Sequence, residues 1–245
     1  TNLKYSLRLL SIGWTFARAD ALFGLEALNV SPALLWFCRR IARPHKGMRR
    51  GERLSLALTG LGPTFIKAGQ ALSTRADLIG DDLARDLTSL QDNVPPFDSS
   101  IAKAMVEEQL GTPIADKFSQ FDEHPIAAAS IAQVHFAVTT DGREVAVKIL
   151  RPNVEQSFQR DIDLMFWIAR IVERRMPHYR RLKPVQVVET FATTIRLELD
   201  LRFEAAAAEE LRSNTKDDPD FFVTQVDWER TARRVRAEVQ DELLA

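Results

Sequence analysis

The chain has 245 residues, 45% of them hydrophobic and 27% charged, which is the composition of an ordinary globular protein with a sizeable core. Its formal net charge of −1 argues against nucleic acid as a partner. The single cysteine, Cys38, excludes an internal disulfide and a zinc site built from cysteines, and it suits a reducing compartment.

The first forty residues are predicted to form two helices. The break between them falls near residues 29–32, where Ser31 suits a helix N-cap and Pro32 suits a first helical position. The most apolar stretch, residues 21–38, is interrupted by polar residues and by Pro32, so it is a poor candidate for a membrane span.

A basic stretch follows at residues 39–53. Its seven cations outnumber the single acid Glu52, and they are Arg39, Arg40, Arg43, Lys46, Arg49, Arg50 and Arg53. Residues 1–53 are predicted to be N-terminal helices, and because basic segments beside apolar ones attract anionic lipid, association with a membrane surface is one interpretation of this stretch. A solvated basic turn between two helices is the alternative.

Residues 54–120 are predicted to be a helical extension. Glycines and Pro63 interrupt a short helix at residues 60–63, and a new helix follows at residues 64–74. Further helices are predicted from Asp81 to Leu90, from Ser100 to Leu110 and after Pro113, with a proline linker at residues 93–96.

Lys67 and Gln70 stand three residues apart in the helix at residues 64–74, so they project from the same face. Gly69 between them is unfavourable in a helix by about 0.8–1 kcal/mol relative to alanine, which predicts close approach by another backbone. The alternative is that Lys67 and Gln70 form only the solvated edge of a packed helix.

Residues 131–148 carry the clearest β pattern in the chain. Two runs of β-prone residues, 131–138 and 145–148, flank Asp141-Gly142, a dipeptide that favours a tight hairpin turn. The second run places Lys148 among apolar residues. A lysine in such surroundings is costly unless an anion meets it, so Lys148 is predicted to have an acidic partner or ligand.

The run Ala127-Ala128-Ala129-Ser130 precedes the hairpin, at the position where a nucleotide-binding hairpin carries a glycine-rich loop over the phosphates. Alanine permits close backbone approach with less conformational freedom than glycine, and the Ser130 hydroxyl can donate to an oxygen. The alternative is that three alanines simply begin a helix.

After the hairpin the pattern returns to helix. Helices are predicted at residues 154–175 and 184–212, a polar turn at 214–219, a short strand at 221–226, and helical composition from Asp227 to the end. The long helix carries Glu198, Asp200 and Glu204 among alternating apolar residues, so at least one carboxylate is predicted to lie near the protein body. Surface acids that answer Arg196 and Arg202 are the alternative.

Four motifs, in the same order along the chain, resemble the UbiB-type (aarF-domain) atypical kinases. Lys67-Ala68-Gly69-Gln70 resembles the family's K-x-G-Q motif, and Ala127–Ser130 resembles its alanine-rich loop. Val145-Ala146-Val147-Lys148 resembles the strand with the phosphate-binding lysine of kinases, and Glu198-Leu199-Asp200 resembles the family's E-x-D motif. The resemblance covers roughly residues 54–214.

The resemblance implies an α+β fold that is mostly helical. A protein-kinase-like N-lobe, with a small antiparallel sheet and a long αC-type helix, is expected at residues 121–245 after the helical extension. The highly charged residues 233–242 stand where a further strand is expected, and no catalytic-loop aspartate, metal-binding asparagine or D-F-G motif follows Asn214. We therefore expect a fragment that ends before the C-lobe and is inactive alone.

The resemblance also implies roles for single residues. Lys148 would bind the α- and β-phosphates of ATP or ADP and pair with Glu204, while residues 127–130 would lie over the nucleotide. Lys67 and Gln70 would belong to helices that cover the docking position of a protein substrate. Glu198 and Asp200 would contribute weakly to binding Mg²⁺, which is expected for the full-length family.

The implied function is that of the nucleotide-binding part of an atypical kinase or ATPase in ubiquinone (coenzyme Q) biosynthesis. A small or lipid-like substrate is expected rather than a protein. The expected partners are an adenine nucleotide, anionic membrane lipid, prenylated quinone intermediates and other ubiquinone-biosynthesis proteins, in the cytoplasm at the periphery of the inner membrane. The alternative is a non-catalytic scaffold that binds lipid or a partner.

Overall fold

The computed structural model describes residues 2–21, 40, 42, 47–90, 94–218 and 220–239. By their contacts the residues divide into two compact units, Thr1–Asp92 and Asn93–Ala245. None of the helices in these described ranges combines the length and the apolarity that crossing a bilayer requires.

The first unit is built from helices and short turns in its described part. The helices are α1 (Asn2–Arg18), α2 (Arg50–Leu61), α3 (Pro63–Ser73), α4 (Ala76–Ile79) and α5 (Asp81–Leu87). α2 and α3 are separated by Gly62, whose φ of 105° favours glycine, and Pro63 supplies the first residue of α3. The second helix predicted near the N-terminus lies outside the described residues, as do six of the fifteen residues of the basic stretch.

Gly69 is buried in the interior of α3. A β-carbon at this position would stand 2.5 Å from Leu90 Cδ1 and 2.7 Å from Leu58 Cδ1. The close neighbour is therefore a pair of leucine side chains rather than another backbone, and that part of the prediction is wrong. The glycine allows the two leucines to pack directly on the helix.

The second unit contains an antiparallel sheet and several helices. Its elements are α6 (Ser99–Leu110), α7 (Ile114–Lys117), β1 (Phe118–Phe121), β2 (Ala127–Ala128), β3 (Ala132–Thr139), β4 (Glu144–Leu150), α8 (Val154–Arg175), α9 (Pro184–Glu198), α10 (Leu201–Asn214), β5 (Val226–Asp227) and β6 (Val235–Val239), with 3-10 turns at Pro177–Leu182 and Trp228–Arg230. The strand order is β1-β3-β4-β6-β5, and β2 pairs with β3. The predicted α+β fold, mostly helical with a small antiparallel sheet, is confirmed.

The predicted hairpin is confirmed as β3 and β4. Val134 stands opposite Lys148 in the antiparallel register, and Gly142 adopts a φ of 87° in the connecting turn. A positive φ at this position is the conformation that the Asp-Gly dipeptide predicts. The register fixes which residues of β4 share a face.

The sheet buries one face against α6. Val147 and Ile149 of β4 lie in a core cluster with Met105 and Val106 of α6. Because successive side chains of a strand alternate between faces, Lys148 lies on the opposite face. α6 thus packs on the sheet and shares its hydrophobic core, whereas the prediction assigned these residues to the helical extension at residues 54–120.

The long helix predicted at residues 184–212 is two helices. α9 ends at Glu198, and α10 begins at Leu201 with Asp200 as its N-cap. Leu199 and Leu201 are both buried in a second core cluster with α8 and the end of β4. In a continuous helix, residues two apart point in nearly opposite directions, so the break allows both leucines to enter one core.

The predictions for the C-terminal part are also wrong. The strand expected at residues 221–226 is reduced to β5, and the segment expected to be helical forms β6 within residues 235–239. Val235, Ala237 and Val239 are buried on the α6 side of the sheet. Apolar residues thus recur at every second position of this charged segment, which is the pattern of a strand. β6 pairs with β4 and is the further strand that the charge of residues 233–242 argued against.

Candidate functional site

Lys148 and Glu204 form an ion pair on the face of the sheet opposite α6. β4 supplies the lysine, and the first turn of α10 supplies the glutamate. Lys148 Nζ lies 2.9 Å from both carboxylate oxygens of Glu204. The two side chains are 26% and 45% exposed, so a ligand can reach them. The contact predicted between these residues is confirmed, whereas their roles remain predictions.

Arg236 is a second cation at this pair, and the sequence reasoning missed it. It stands opposite Lys148 in the register of β4 and β6, so the two side chains share a face. Arg236 Nη1 lies 3.4 Å from Glu204 Oε1, and its Nη2 lies 2.6 Å from Glu238 Oε1. The alternation of Val235, Arg236 and Ala237 is the signal that could have placed this arginine on a strand.

The E-x-D motif occupies the junction between α9 and α10. Glu198 is the last residue of α9, and the Asp200 carboxylate accepts from Arg202 N at 3.2 Å and thereby caps α10. Arg202 also donates to Asp200 from Nε at 2.9 Å and from Nη2 at 2.7 Å. These hydrogen bonds hold the pKa of Asp200 below its usual value. Asp200 is buried, so the predicted carboxylate near the protein body is confirmed, although its partner is Arg202 as the alternative proposed.

The residues around this junction bear on the predicted magnesium site. Both Asp200 oxygens accept from Arg202, so a Mg²⁺ ion would take Asp200 only by displacing that guanidinium. Within the described ranges, no group of three or more histidine, cysteine, aspartate or glutamate side chains is arranged to hold a metal ion. The weak metal role of Glu198 and Asp200 remains a prediction.

Residues 127–132 form a tight turn, which we call the alanine turn. Ala127 stands opposite Val134 and Ala128 opposite Gln133, and Ala129 N donates to Ala132 O at 2.8 Å. The turn thus begins with strand β2, and the alternative that the alanines begin a helix is wrong. The placement beside β3 keeps the alanine turn on the hairpin that carries Lys148.

Ser130 lies at the end of the predicted nucleotide-binding run, but its hydroxyl is not accessible. The residue is fully buried, and its Oγ has no hydrogen-bond partner among the described residues. Burying a hydroxyl without a hydrogen bond typically costs about 1–3 kcal/mol, so the position of Ser130 reduces the stability of the folded unit. Ser130 would donate to a ligand oxygen only after a movement of the turn.

Arg151 holds the alanine turn, and no signal in the sequence identified it. Its Nε donates to Ala129 O at 2.8 Å, and its Nη2 donates to Val94 O at 3.1 Å and to Pro95 O at 2.9 Å. Burial lowers the pKa of Arg151. One guanidinium therefore joins the turn to the start of the second unit.

Gln133 and His135 of β3 hydrogen-bond to each other and to the backbone of Phe97 and Asp122. Gln133 Oε1 accepts from Phe97 N at 3.0 Å, and Gln133 Nε2 lies 2.8 Å from His135 Nε2. His135 Nδ1 lies 2.8 Å from Asp122 O, which fits a neutral ring that donates to the carbonyl and accepts from the glutamine. Burial is the main cause that lowers the pKa of His135.

Lys67 and Gln70 lie on α3 in the first unit. Gln70 Nε2 donates to Leu90 O at 3.4 Å, which is a long hydrogen bond to the residue that also packs on Gly69. Gln70 therefore helps to attach α3 to the segment after α5. Whether Lys67 and Gln70 take part in chemistry remains a prediction.

Comparison with known proteins identifies a family for this arrangement. The sequence profile of the ABC1 atypical kinase-like domain matches residues 89–236. The chain is 42% identical over 232 residues to the "Probable protein kinase UbiB" of Marinobacter nauticus, with 93% of this chain and 42% of that protein aligned. It is 49% identical over 197 residues to the protein of the same name from Pseudomonas paraeruginosa, with 80% and 37% aligned.

A solved structure has a similar fold. This is the complex of Rv3197 with erythromycin from Mycobacterium tuberculosis, with a TM-score of 0.54 and 30% sequence identity. The match covers 72% of this chain and 43% of that one. The chain thus spans about two fifths of the length of the relatives that it matches.

Proposed function

The chain belongs to the ABC1 atypical kinase-like family, and from that premise we propose that it binds an adenine nucleotide, ATP or ADP, at the sheet face that carries Lys148. The observation that supports this proposal is the ion pair in which Lys148 Nζ lies 2.9 Å from both Glu204 oxygens. In kinases a lysine on this strand, paired with a helical glutamate, contacts the α- and β-phosphates.

The ion pair between Lys148 and Glu204 is better explained by ligand binding than by a contribution to folding stability. Both side chains are partly exposed, and a solvent-exposed ion pair typically contributes only about 0–1 kcal/mol to folding. Lys148 nevertheless emerges from a strand whose neighbouring residues are buried, where an alkyl side chain would pack more favourably. A charge that contributes little to folding and points toward an open face is well suited to an anionic ligand.

Each neighbour of the pair has a proposed part in nucleotide binding. Glu204 orients the Lys148 ammonium, and Arg236 holds Glu204 in place when the lysine engages phosphate oxygens. The alanine turn lies at the end of the same hairpin and covers the phosphates, with Ser130 as the hydroxyl donor after the turn moves. Magnesium would reach the phosphates chiefly through ligands other than Asp200, because that carboxylate is occupied by Arg202.

The wider role is proposed on the family alone. Atypical kinase or ATPase chemistry in ubiquinone biosynthesis, a small or lipid-like substrate such as a prenylated quinone intermediate, and other proteins of that pathway as partners are consistent with relatives named UbiB. Peripheral attachment to the inner membrane from the cytoplasm, through anionic lipid and the basic stretch at residues 39–53, belongs to the same proposal. The whole protein's activity would draw on more sequence than the aligned two fifths.

Nucleotide-dependent thermal unfolding tests the proposed site. Millimolar ADP or ATP should raise the Tm of the chain by a few degrees, since a ligand at ten times its Kd stabilises by about 1.4 kcal/mol. Lys148→Ala and Glu204→Ala should each abolish most of that shift, because the phosphates lose their cation or its orientation. Lys216→Ala, at an exposed lysine of the same unit, is the matched control and should keep the shift.

The competing function is a scaffold that binds lipid or a protein partner without nucleotide. A Tm that stays constant up to millimolar ADP and ATP would favour the scaffold and contradict the proposed site. A shift that persists equally in Lys148→Ala and Lys216→Ala would mean that nucleotide binds elsewhere.

A further inference from the structure

The connection between α8 and α9 carries a dense group of cations, which we call the basic tip (residues 170–183). Six cations and one acid occur in these fourteen residues, a net charge of +5 in a chain whose net charge is −1. The cations are Arg170, Arg174, Arg175, Arg180, Arg181 and Lys183, and all six are exposed. They occupy the last turns of α8 and the 3-10 turn before α9, where the two packed helices reverse direction.

The cations of the basic tip have no acidic partners. None of the six forms a salt bridge with any residue in the part of the chain that the structure describes, although most other arginines of the second unit do. The single acid of the tip, Glu173, is engaged in the backbone, since its Oε1 accepts from Val185 N at 3.1 Å and its carbonyl accepts from Arg180 Nε at 2.6 Å. Glu173 therefore helps to connect α8 to the start of α9, and the tip remains positively charged.

Apolar side chains stand exposed between these cations. Met176 precedes the 3-10 turn and Leu182 is its last residue, and they are 40% and 48% exposed. Ile171 is also exposed, between one and two turns before Met176 on α8. Prolines at residues 177 and 184 stiffen both ends of the turn. Long cationic side chains around protruding apolar ones are typical of a surface that rests on the headgroups of a bilayer.

We propose that the basic tip is a docking surface for a membrane that contains anionic phospholipid. The arginines and Lys183 would contact headgroup phosphates, and Met176 and Leu182 would enter the interface between headgroups and acyl chains. The surface is separate in sequence from residues 39–53 and requires no nucleotide. It rests on the membrane attachment proposed above and assigns a second surface to it, whereas it does not depend on the proposed nucleotide site.

A lipid surface fits these observations better than another polyanion. Met176 and Leu182, the large apolar side chains exposed at the turn, have no ring on which a base could stack, whereas binding of single-stranded nucleic acid relies on aromatic stacking. The rings of the exposed His178 and the half-buried Tyr179 pack edge to face on each other, with centroids 5.9 Å apart. The positive charge is spread over six exposed cations around the turn, and a diffuse negative surface attracts such a group without a matching groove.

Co-sedimentation with vesicles tests the proposal. The 245-residue chain should bind vesicles of phosphatidylcholine with about one third phosphatidylglycerol, and it should not bind pure phosphatidylcholine. A quadruple variant, Arg174→Gln, Arg175→Gln, Arg181→Gln and Lys183→Gln, should lose affinity by roughly 600-fold, since each of the four cations near an anionic surface contributes about fivefold. Arg180 is left intact because it also supports the turn.

A matched control distinguishes the loss of the cations of the basic tip from a general change in net charge. Arg160→Gln, Arg196→Gln, Arg212→Gln and Lys216→Gln remove four exposed cations elsewhere in the same unit and should leave binding within about threefold of wild type. A third variant, Met176→Ser with Leu182→Ser, should weaken binding while its salt dependence persists, because only the apolar part of the contact is lost.

Three results would overturn the proposal. They are no binding of the wild-type chain to anionic vesicles, equal losses in the tip and control variants, and tip-dependent binding to a soluble polyanion such as polyglutamate or duplex RNA with no binding to vesicles. The single variants Arg175→Gln and Arg181→Gln, each expected to lose about fivefold, keep the test valid if the quadruple variant unfolds.

Discussion

At the scale of single residues, His135 illustrates how burial converts a side chain into a pH-dependent element. The ring is fully buried and stacks on Phe121, with ring centroids 5.0 Å apart. Protonation would oblige His135 Nε2 to give up its bond from Gln133, which in turn holds Phe97. The neutral ring is therefore the form that the folded unit accommodates.

We expect the stability of the second unit to depend on His135 below neutral pH. Burial lowers its pKa in the folded state, so between that value and the unfolded value of about 6.5 the unfolded chain binds the additional proton. The free energy of unfolding should then fall as the pH falls, by up to about 1.4 kcal/mol per pH unit, and level off below the folded pKa.

Two measurements between about pH 5 and pH 7.5 test this dependence: urea denaturation, and hydrogen exchange of the β3 amides in the folded protein. His135→Gln should flatten it, whereas His178→Gln, at an exposed histidine of the basic tip, should leave it unchanged. A profile of His135→Gln that is parallel to wild type would show that other groups are responsible.

At the scale of elements, the surroundings of two helical glycines differ: Gly13 of α1 has free space beside it, whereas Gly69 of α3 is closely packed. Gly13 in α1 has no atom within 4 Å of a β-carbon placed there, whereas the same construction at Gly69 meets Leu90 and Leu58. Both leucines are buried, so they cannot withdraw without repacking. The two glycines thus have the same intrinsic cost in a helix and opposite consequences when replaced.

Gly69→Ala should therefore destabilise the first unit while Gly13→Ala stabilises it. The alanine at Gly13 should raise the free energy of unfolding by about 0.5–1 kcal/mol through helix propensity. At Gly69 the same gain is opposed by overpacking of about 1–3 kcal/mol, so a net loss of up to about 2 kcal/mol is expected. Thermal denaturation of both variants measures the difference, and equal stabilisation by the two alanines would contradict the packing explanation.

At the scale of the whole molecule, Arg151 joins segments that are far apart along the chain. Its side chain links Ala129 to Val94 and Pro95, and its carbonyl accepts from Arg234 Nη2 at 3.2 Å. The alanine turn, the start of the second unit and the segment before β6 therefore meet at one residue. Contacts of this range are decided by tertiary structure, since no local pattern favours them.

Arg151→Gln should loosen the alanine turn. The loss of three donated hydrogen bonds from a partly buried guanidinium should cost about 1–3 kcal/mol, because the carbonyls of Val94, Pro95 and Ala129 lose their partner. Hydrogen exchange of residues 126–132 should become faster even without nucleotide. Arg160→Gln, at an exposed arginine 3.5 Å from Asp161, is the control, and unchanged exchange in Arg151→Gln would contradict this role.

The local patterns of the sequence determined more of this protein than its composition did. Asp141-Gly142 between two β-prone runs was sufficient to predict the hairpin, and Lys148 among apolar residues was sufficient to predict an acidic partner. These predictions succeed because turn geometry and the cost of a partly buried charge act over short distances. The K-x-G-Q, alanine-rich and E-x-D motifs likewise identified the family that the comparisons confirm.

Tertiary structure decided the break after α9, the strand β6 and the contacts of Arg151 and Arg236. Leu199 and Leu201 enter one core only if the helix breaks between them, and β6 exists because β4 offers an edge to which Val235 and Ala237 can add. Propensity and charge describe a segment alone, whereas burial depends on what another segment provides. The sequence alone thus determined that Lys148 needs an anion, and the fold decided that Glu204, fifty-six residues later, is within 2.9 Å of it.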